Sequence, residues 1–311
     1  MATAADPKPA SLPLPGGRAG ATVTVRPLLC GEGVWPLAWA HREDGRLARA
    51  HAFGIGVPDD KQVRYPIIAF LVEHPGAGLI LIDTGLHPSV AVDKKQNLGR
   101  ILATTTARAW EMEPEQAIPD QLRALGREPS EVKLVVMTHL HLDHASGISQ
   151  FPDATFVISS QEWDRANEPR AVTSGYVSSH FDHAFDYRLL NFETRDVDSF
   201  ASFGRSFDLL GDGSVRVAFT PGHTLGHMSV VLNGADREVL VCGDAAYTRH
   251  AIETGHRPWL MQDEHLFARS LREIQRYVEQ TPSAVVVPGH DFEAFEDARR
   301  ELGVTVGELA G

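Results

Sequence analysis

Cysteine is nearly absent from this 311-residue chain, which has only Cys30 and Cys242. A disulfide framework is therefore not what holds the fold, and a reduced, cytoplasmic setting is expected. Long apolar runs are also missing: no window approaches the ~18 continuous apolar residues of a membrane span. Basic charge is in deficit, with 29 Lys and Arg against 41 Asp and Glu, a formal net charge of −12. Such a surface repels phosphate backbones, and no basic run offsets it, so nucleic acid is excluded as a partner. Nor is there self-similarity at a period of roughly 20–50 residues, which rules out a solenoid. The opening MATAADPKPASLPLPGGRAG has no apolar signal core and reads as a disordered or extended leader over residues 1–21.

What is present is an ordinary globular composition, 43% hydrophobic and 23% charged. The chain is long enough to bury a large core. Short β-type runs recur: TVTVRPLL, PIIAFLVEH at 66–74, GLILIDTG at 78–85 and VKLVVMTH at 132–139. A second set follows, with TFVIS at 155–159, VRVAFT at 215–220, SVVL at 229–232, EVLVCGD at 238–244 and AVVVPGH at 284–290. Helices are predicted near 115–125, over 291–302, and through Phe267, Leu271, Ile274 and Val278, whose spacing makes one apolar face. Two runs of strands with helices between them, and no linker, predict one α/β domain over residues 22–311: two packed sheets covered by helices. Residues 31–65, with Trp35, Trp39 and Phe53, and 161–207, with Trp163, Tyr176, Phe181, Phe185 and Tyr187, read as long loops that supply pocket walls or surface packing.

The stretch THLHLDHASG at 138–147 concentrates His139, His141, Asp143 and His144 within six positions. In an extended segment, residues two apart point to the same side, so His139 and His141 suit one metal ion. Asp143 and His144 follow after the chain turns, beside a second. Two ions need more ligands than the cluster offers. FTPGHTLGH supplies His223, VLVCGDAAY supplies Asp244 and VVVPGHD supplies His290, each just after an apolar run. All seven are residue types that zinc accepts. His227 is expected to support the site from behind, and Cys242 to be a core thiol. The nine histidines at 41, 51, 74, 87, 180, 183, 250, 256 and 265 have no motif context and are expected to be structural.

With these residues in hand, the chain resembles the metallo-β-lactamase superfamily from about residue 22 onward. IDTG at 82–85 is similar to the superfamily's early strand-turn element, in which Asp83 would support the site without binding metal. The resemblance implies an αββα sandwich of two mixed sheets with the metals at one edge. His139, His141 and His223 would hold one ion, Asp143, His144 and His290 the other, and Asp244 would bridge them. Zinc is the default metal, with cobalt, manganese or iron as substitutes. An aspartate at 244 disfavours true β-lactamase activity, and a histidine at 141 disfavours the flavin-linked iron members.

Among the hydrolytic members, GDAAY places Tyr247 three residues after Asp244, as in N-acyl-homoserine lactonases, where a tyrosine at that spacing contacts the substrate carbonyl. The alternative for Tyr247 is an ordinary loop residue. The implied chemistry is opening of a small-molecule lactone by a hydroxide shared between two divalent ions. Asp143 or Asp244 would shuttle the proton, and Tyr247 would polarise the carbonyl. The competing readings are a thioesterase of the hydroxyacylglutathione hydrolase type, a phosphotriesterase-like hydrolase, and a non-enzymatic metal-binding protein. Thioesterases of that type carry a helical segment after the last histidine, whereas here His290 is followed only by residues 291–311. Acyl-chain preference and oligomeric state, a homodimer included, are not written in the sequence.

Overall fold

The chain builds two facing β-sheets; the computed structural model describes residues 3–303. The first sheet contains β1 (Lys8–Pro9), β2 (Thr24–Pro36), β3 (Gln62–His74), β4 (Gly78–Ile82), β5 (Val132–Val136), β6 (Thr155–Ser159) and β7 (Asp186–Leu190), in the order β1-β7-β6-β5-β4-β3-β2. The second contains β8 (Asp198–Phe200), β9 (Phe203–Asp208), β10 (Val215–Phe219), β11 (Met228–Asn233), β12 (Glu238–Gly243) and β13 (Val285–Pro288), in the order β13-β12-β11-β10-β9-β8. Both are mixed. β4 through β7 run parallel, as do β12 and β13, and the hairpins β2–β3–β4 and β8 through β12 are antiparallel.

The alternation within each strand shows why the layers form. In β4, Ile80 and Ile82 pack between the sheets, while Leu79 and Leu81 pack on the helical side. In β12, Val239 and Val241 face the other sheet, and Leu240 and Cys242 face Phe267, Leu271 and Ile274 of the helix Glu264–Gln280. Strands buried on both faces must be apolar throughout, which is why these runs stood out in the sequence. That helix carries the predicted apolar stripe, and Phe292–Glu301 forms the last helix. The fold is the αββα sandwich expected. Residues 304–311 of the predicted domain lie outside the described residues.

Two regions differ from expectation, and a third, the leader, takes one of its two expected forms. Residues 31–65 are only partly loop: β2 and β3 form a long hairpin that stays paired from Thr24↔Glu73 to Pro36↔Gln62. Gly31, Gly33 and Pro36 read as turn residues, but a register shift between Leu29 and Glu32 absorbs Gly31 at φ 137°. Residues 161–207 contain a helix, Ser160–Ala166, and the strands β7 to β9. Their aromatics are core: Trp163, Phe181 and Tyr187 are buried and pack on one another. From residue 3 onward the leader is extended and held in place. β1 pairs with β7, and the Leu14 amide donates to the Leu209 carbonyl (2.7 Å). Leu12 and Leu14 pack on the inter-sheet core, which secures an otherwise polar segment.

No helix among the described residues is long and apolar enough to cross a membrane.

Candidate metal centre

The site is assembled from strand ends. Thr138 follows β5 and is gripped by Asp83, which follows β4. One Asp83 oxygen accepts the Thr138 amide (2.7 Å), and the other accepts both the Thr138 hydroxyl (2.7 Å) and His144 Nδ1 (2.8 Å). Asp83 adopts φ 61°, a left-handed conformation that aspartate tolerates better than most residues. His141 caps the short helix Leu142–Ala145, whose first turn carries Asp143 and His144. His223 comes after β10 through a Pro221-Gly222 turn. Gly222 sits at φ 137°, and a Cβ there would lie 2.1 Å from the Phe267 amide nitrogen, so only glycine permits this approach. Asp244 directly follows β12, and His290 follows β13.

All seven sequence-predicted ligands meet. His139, His141 and His223 form one group, His139, His144 and Asp244 a second, and Asp143, His144 and His290 a third; within each, the ligand atoms lie within 4.8 Å of one another. Asp244 is central: its carboxylate is 3.1 Å from His223 Nε2, 3.3 Å from His144 Nε2, 3.2 Å from His290 Nε2 and 3.9 Å from His139 Nε2. Asp143 Oδ2 is 3.8 Å from both His144 Nε2 and His290 Nε2.

Four of the histidines use their outer nitrogen the same way. The Nδ1 of His139 meets the Thr138 hydroxyl (3.1 Å) and that of His144 meets Asp83; those of His223 and His290 meet the Leu260 (3.2 Å) and Pro66 (3.0 Å) carbonyls. Each Nδ1–H donating outward leaves an Nε2 lone pair aimed inward, the arrangement of a metal-ligating imidazole. His141 is turned the other way, with Nδ1 2.9 Å from His223 Nε2. Two lone pairs that close repel unless a proton or a cation lies between them. Buried His139 Nε2, His144 Nε2 and Asp244 Oδ1 have no hydrogen-bond partner, which is costly without one. The donor set therefore fits divalent metal.

The electrostatics divide the histidines. Burial and the neighbouring histidines hold His139 well below the usual imidazole range, and burial holds His141 down at about 4, so both are neutral and free to ligate. Burial alone would lower His144 too, but Asp143, Asp244 and Asp83 push it well up. Burial alone would raise Asp244, but His290, His223 and His144 hold its carboxyl well below the ordinary carboxylate range.

Behind Asp244, His227 Nε2 accepts the Asp244 amide (2.9 Å), and its Nδ1 meets Thr220 Oγ1 (2.9 Å). Thr220 is bonded to Ser229, whose hydroxyl donates to the Cys242 carbonyl (2.8 Å). His227 is thus a brace, while Cys242 faces the helical side and its thiol is pushed up by burial. Cys30 and Cys242 are both free and buried.

A cavity of about 530 Å³ opens on the cluster. His141, Asp143, His223, Asp244 and His290 lie at its floor, with Trp35, Trp39 and Phe53 on its walls. Tyr247 is buried there, and its ring stacks on Trp35 (centroids 5.5 Å apart, 9° between planes). Burial, Asp244 and Asp143 all push its phenol up, so it stays protonated and able to donate. Its hydroxyl is 3.3 Å from His223 Nδ1. Because that nitrogen donates to Leu260, it cannot accept from Tyr247, and the phenolic proton is directed to the Asp244 carboxylate instead. Trp163 is not at the site, and Tyr176 lies behind His141 (ring centroids 4.9 Å apart).

Sequence reasoning missed Tyr65, Trp110 and Glu162. Tyr65 stacks on Trp35 (centroids 3.7 Å apart), sits edge-on to His290 and accepts the Trp110 indole proton (2.6 Å). Glu162 is buried beneath the histidine loop and accepts the amide of Leu140, between His139 and His141 (2.9 Å). No motif marks Tyr65 or Trp110. The available signal for Glu162 was its place three residues after Ser159, whose hydroxyl caps that helix.

Comparison with known proteins places this architecture. Residues 64–290 match the Metallo-beta-lactamase superfamily. N-acyl homoserine lactonase AttM of Rhizobium radiobacter is 33% identical over 239 residues, covering 76% of this chain and 85% of that protein. N-acyl homoserine lactonase of Bacillus thuringiensis is 25% identical, covering 77% and 86%. A solved N-acyl homoserine lactone hydrolase, with the product N-hexanoyl-L-homoserine at its catalytic metal center, superposes with a TM-score of 0.70 at 21% identity, over 89% of this chain and 96% of that one. With two mixed sheets, flanking helices and a matched span that runs to His290, this chain belongs to the metallo-β-lactamase superfamily of hydrolases.

Proposed function

We propose that the protein is a dinuclear-metal lactonase that opens the ring of an N-acyl-homoserine lactone. The observation that carries this reading is one juxtaposition: seven metal-type side chains border an aromatic cavity, with the Tyr247 hydroxyl beside them. The lactonase relatives support the substrate class.

His139, His141 and His223 would hold one ion, and Asp143, His144 and His290 the other, with Asp244 shared between them. Zinc suits this nitrogen and oxygen set, and cobalt, manganese or iron are accepted by the same donors. Bound there, the ions would supply Lewis acidity and a water acidified toward neutrality.

This chain's own groups do the rest. Water adds to the lactone carbonyl carbon, the ring C–O bond breaks, and one proton must travel from that water to the departing alkoxide. Asp143 is the carrier, because its carboxylate is only partly buried and borders the cavity. Tyr247 donates to the carbonyl oxygen as charge develops on it. Trp35 and Tyr65 wall off bulk water from the His290 side. Val34, Phe53 and Val172 offer an apolar surface to an acyl chain.

The test has two parts. Elemental analysis of the purified protein should give about two ions per chain, and less than one after growth with added zinc would overturn the dinuclear assignment. The same preparation, assayed on lactones, thioesters, β-lactams and phosphotriesters, should favour lactones. A preference for thioesters or phosphotriesters would replace the proposal with that activity.

A further inference from the structure

Three histidines with no motif context come together outside the site: His41, His250 and His256. Their ring centroids are 4.8 Å (His41–His250), 5.1 Å (His250–His256) and 5.6 Å (His41–His256) apart. Imidazoles bound to one tetrahedral zinc, with Zn–N bonds of about 2.0–2.1 Å, place their ring centres about 5 Å from one another. The His139, His141 and His223 rings of the main site are spaced 4.7, 4.9 and 4.7 Å apart, so the second trio is a slightly wider version of that spacing.

We propose that His41, His250 and His256 form an auxiliary divalent-metal site of the imidazole-preferring kind, zinc, nickel or copper, which joins the flap after β2 to the helix Arg249–Thr254.

The hydrogen bonding leaves the needed atoms available. His41 Nε2 is bonded to the Thr248 hydroxyl (2.8 Å), which leaves its Nδ1 free. His256 Nδ1 is bonded to the Thr254 hydroxyl (2.8 Å), which leaves its Nε2 free. The His250 ring has no hydrogen-bond partner among the described residues. Each threonine thus orients a ring from behind, as partners of metal-bound imidazoles do. His250 and His256 are exposed and can turn their rings toward a shared centre, while the half-buried His41 anchors it. Burial, together with His250 and His256, holds His41 down at about 4, so it is an unprotonated ligand at neutral pH; Asp291 is the acidic group that faces it. The net charge of −12 favours cation capture.

The position gives the site a role. Residue 41 ends the short helix Leu37–Ala40, which carries Trp39, and two backbone bonds already fasten this flap: Trp259 amide to Trp39 carbonyl (2.7 Å) and Arg42 amide to Arg257 carbonyl (2.8 Å). Trp39 and Phe53 of the flap line the cavity. An ion here would add a third cross-link at the base of a cavity wall.

The experiment is equilibrium dialysis of the full chain against excess zinc, followed by elemental analysis, for wild type, His250→Ala with His256→Ala, and His265→Ala as an exposed-histidine control. Wild type and the control should each retain one ion more per chain than the double variant, whatever number the main site holds. The extra ion should also raise Tm in wild type and not in the double variant. Equal metal content in wild type and double variant overturns the proposal. So does an equal loss in the control, which would mark scattered surface binding. Because the readout is a difference between variants, failure of the dinuclear reading leaves it interpretable.

Discussion

Removing the Tyr247 hydroxyl is the sharpest probe of the proposed chemistry. In Tyr247→Phe the ring remains, so its stacking on Trp35 at 5.5 Å and its edge contact with His290 at 5.1 Å are preserved. What is lost is a buried, protonated phenol that bonds the Asp244 carboxylate and would turn its proton toward a substrate carbonyl. A single donor aimed at a developing oxyanion is worth about 2.7–4 kcal/mol where it acts alone. A metal ion beside the same oxygen would share that task, so the expected loss is smaller, about 1.4–2.7 kcal/mol, or roughly ten- to a hundredfold in kcat. KM and metal content should change little, since the phenol is not one of the seven metal-type side chains. The assay is steady-state hydrolysis of a homoserine lactone by both proteins, with elemental analysis alongside. An unaltered kcat would refute the role and return Tyr247 to an ordinary packing residue.

Asp83→Asn replaces one acceptor oxygen with a donor where three donors converge, so His144 or Thr138 loses its partner. Metal affinity should drop about 10–100-fold in a chelator competition, and an unchanged affinity would show that the brace is dispensable. Glu162→Gln tests a pH dependence. Burial raises the Glu162 carboxyl from 4.5 to about 7, so the folded state binds the proton more tightly than the unfolded state does. That group's contribution to stability is present below about 4.5 and is lost as pH rises to about 7, at a cost on the order of 3 kcal/mol. The variant should therefore gain Tm relative to wild type between pH 5 and pH 8, and a constant difference would contradict this. Phe53→Ala, at the exposed rim, should raise KM with kcat intact, whereas Trp35→Ala, which unstacks both Tyr65 and Tyr247, should lower kcat as well. Equal kinetic profiles for the two would undo that distinction.

The candidate ligands were legible because a dense histidine cluster follows β5 and three more metal-type residues sit just past the apolar strands β10, β12 and β13. β5, β10, β12 and β13 are buried on both faces, so their ends are abrupt in sequence. The far half of the hairpin β2–β3 was not legible, because Gly31, Gly33 and Pro36 carry local turn signals that pairing with β3 overrides. β7 to β9 were hidden by polar residues suited to sheet positions that are only half covered. The role of Tyr65 and the meeting of His41 with His250 and His256 depend on contacts between residues far apart in the chain. Local pattern carries no record of them.

The parallel pairing of Lys8–Pro9 with β7 has a consequence for how the molecule behaves in company. β7 would otherwise end its sheet with a row of unpaired amides and carbonyls, a template for any passing strand. The arm fills that row with a proline-containing segment that offers little for another chain to continue. A version shortened past residue 14 would keep its catalytic groups and uncover that edge. Its expected defect is therefore self-association at high concentration, with activity per folded molecule unchanged.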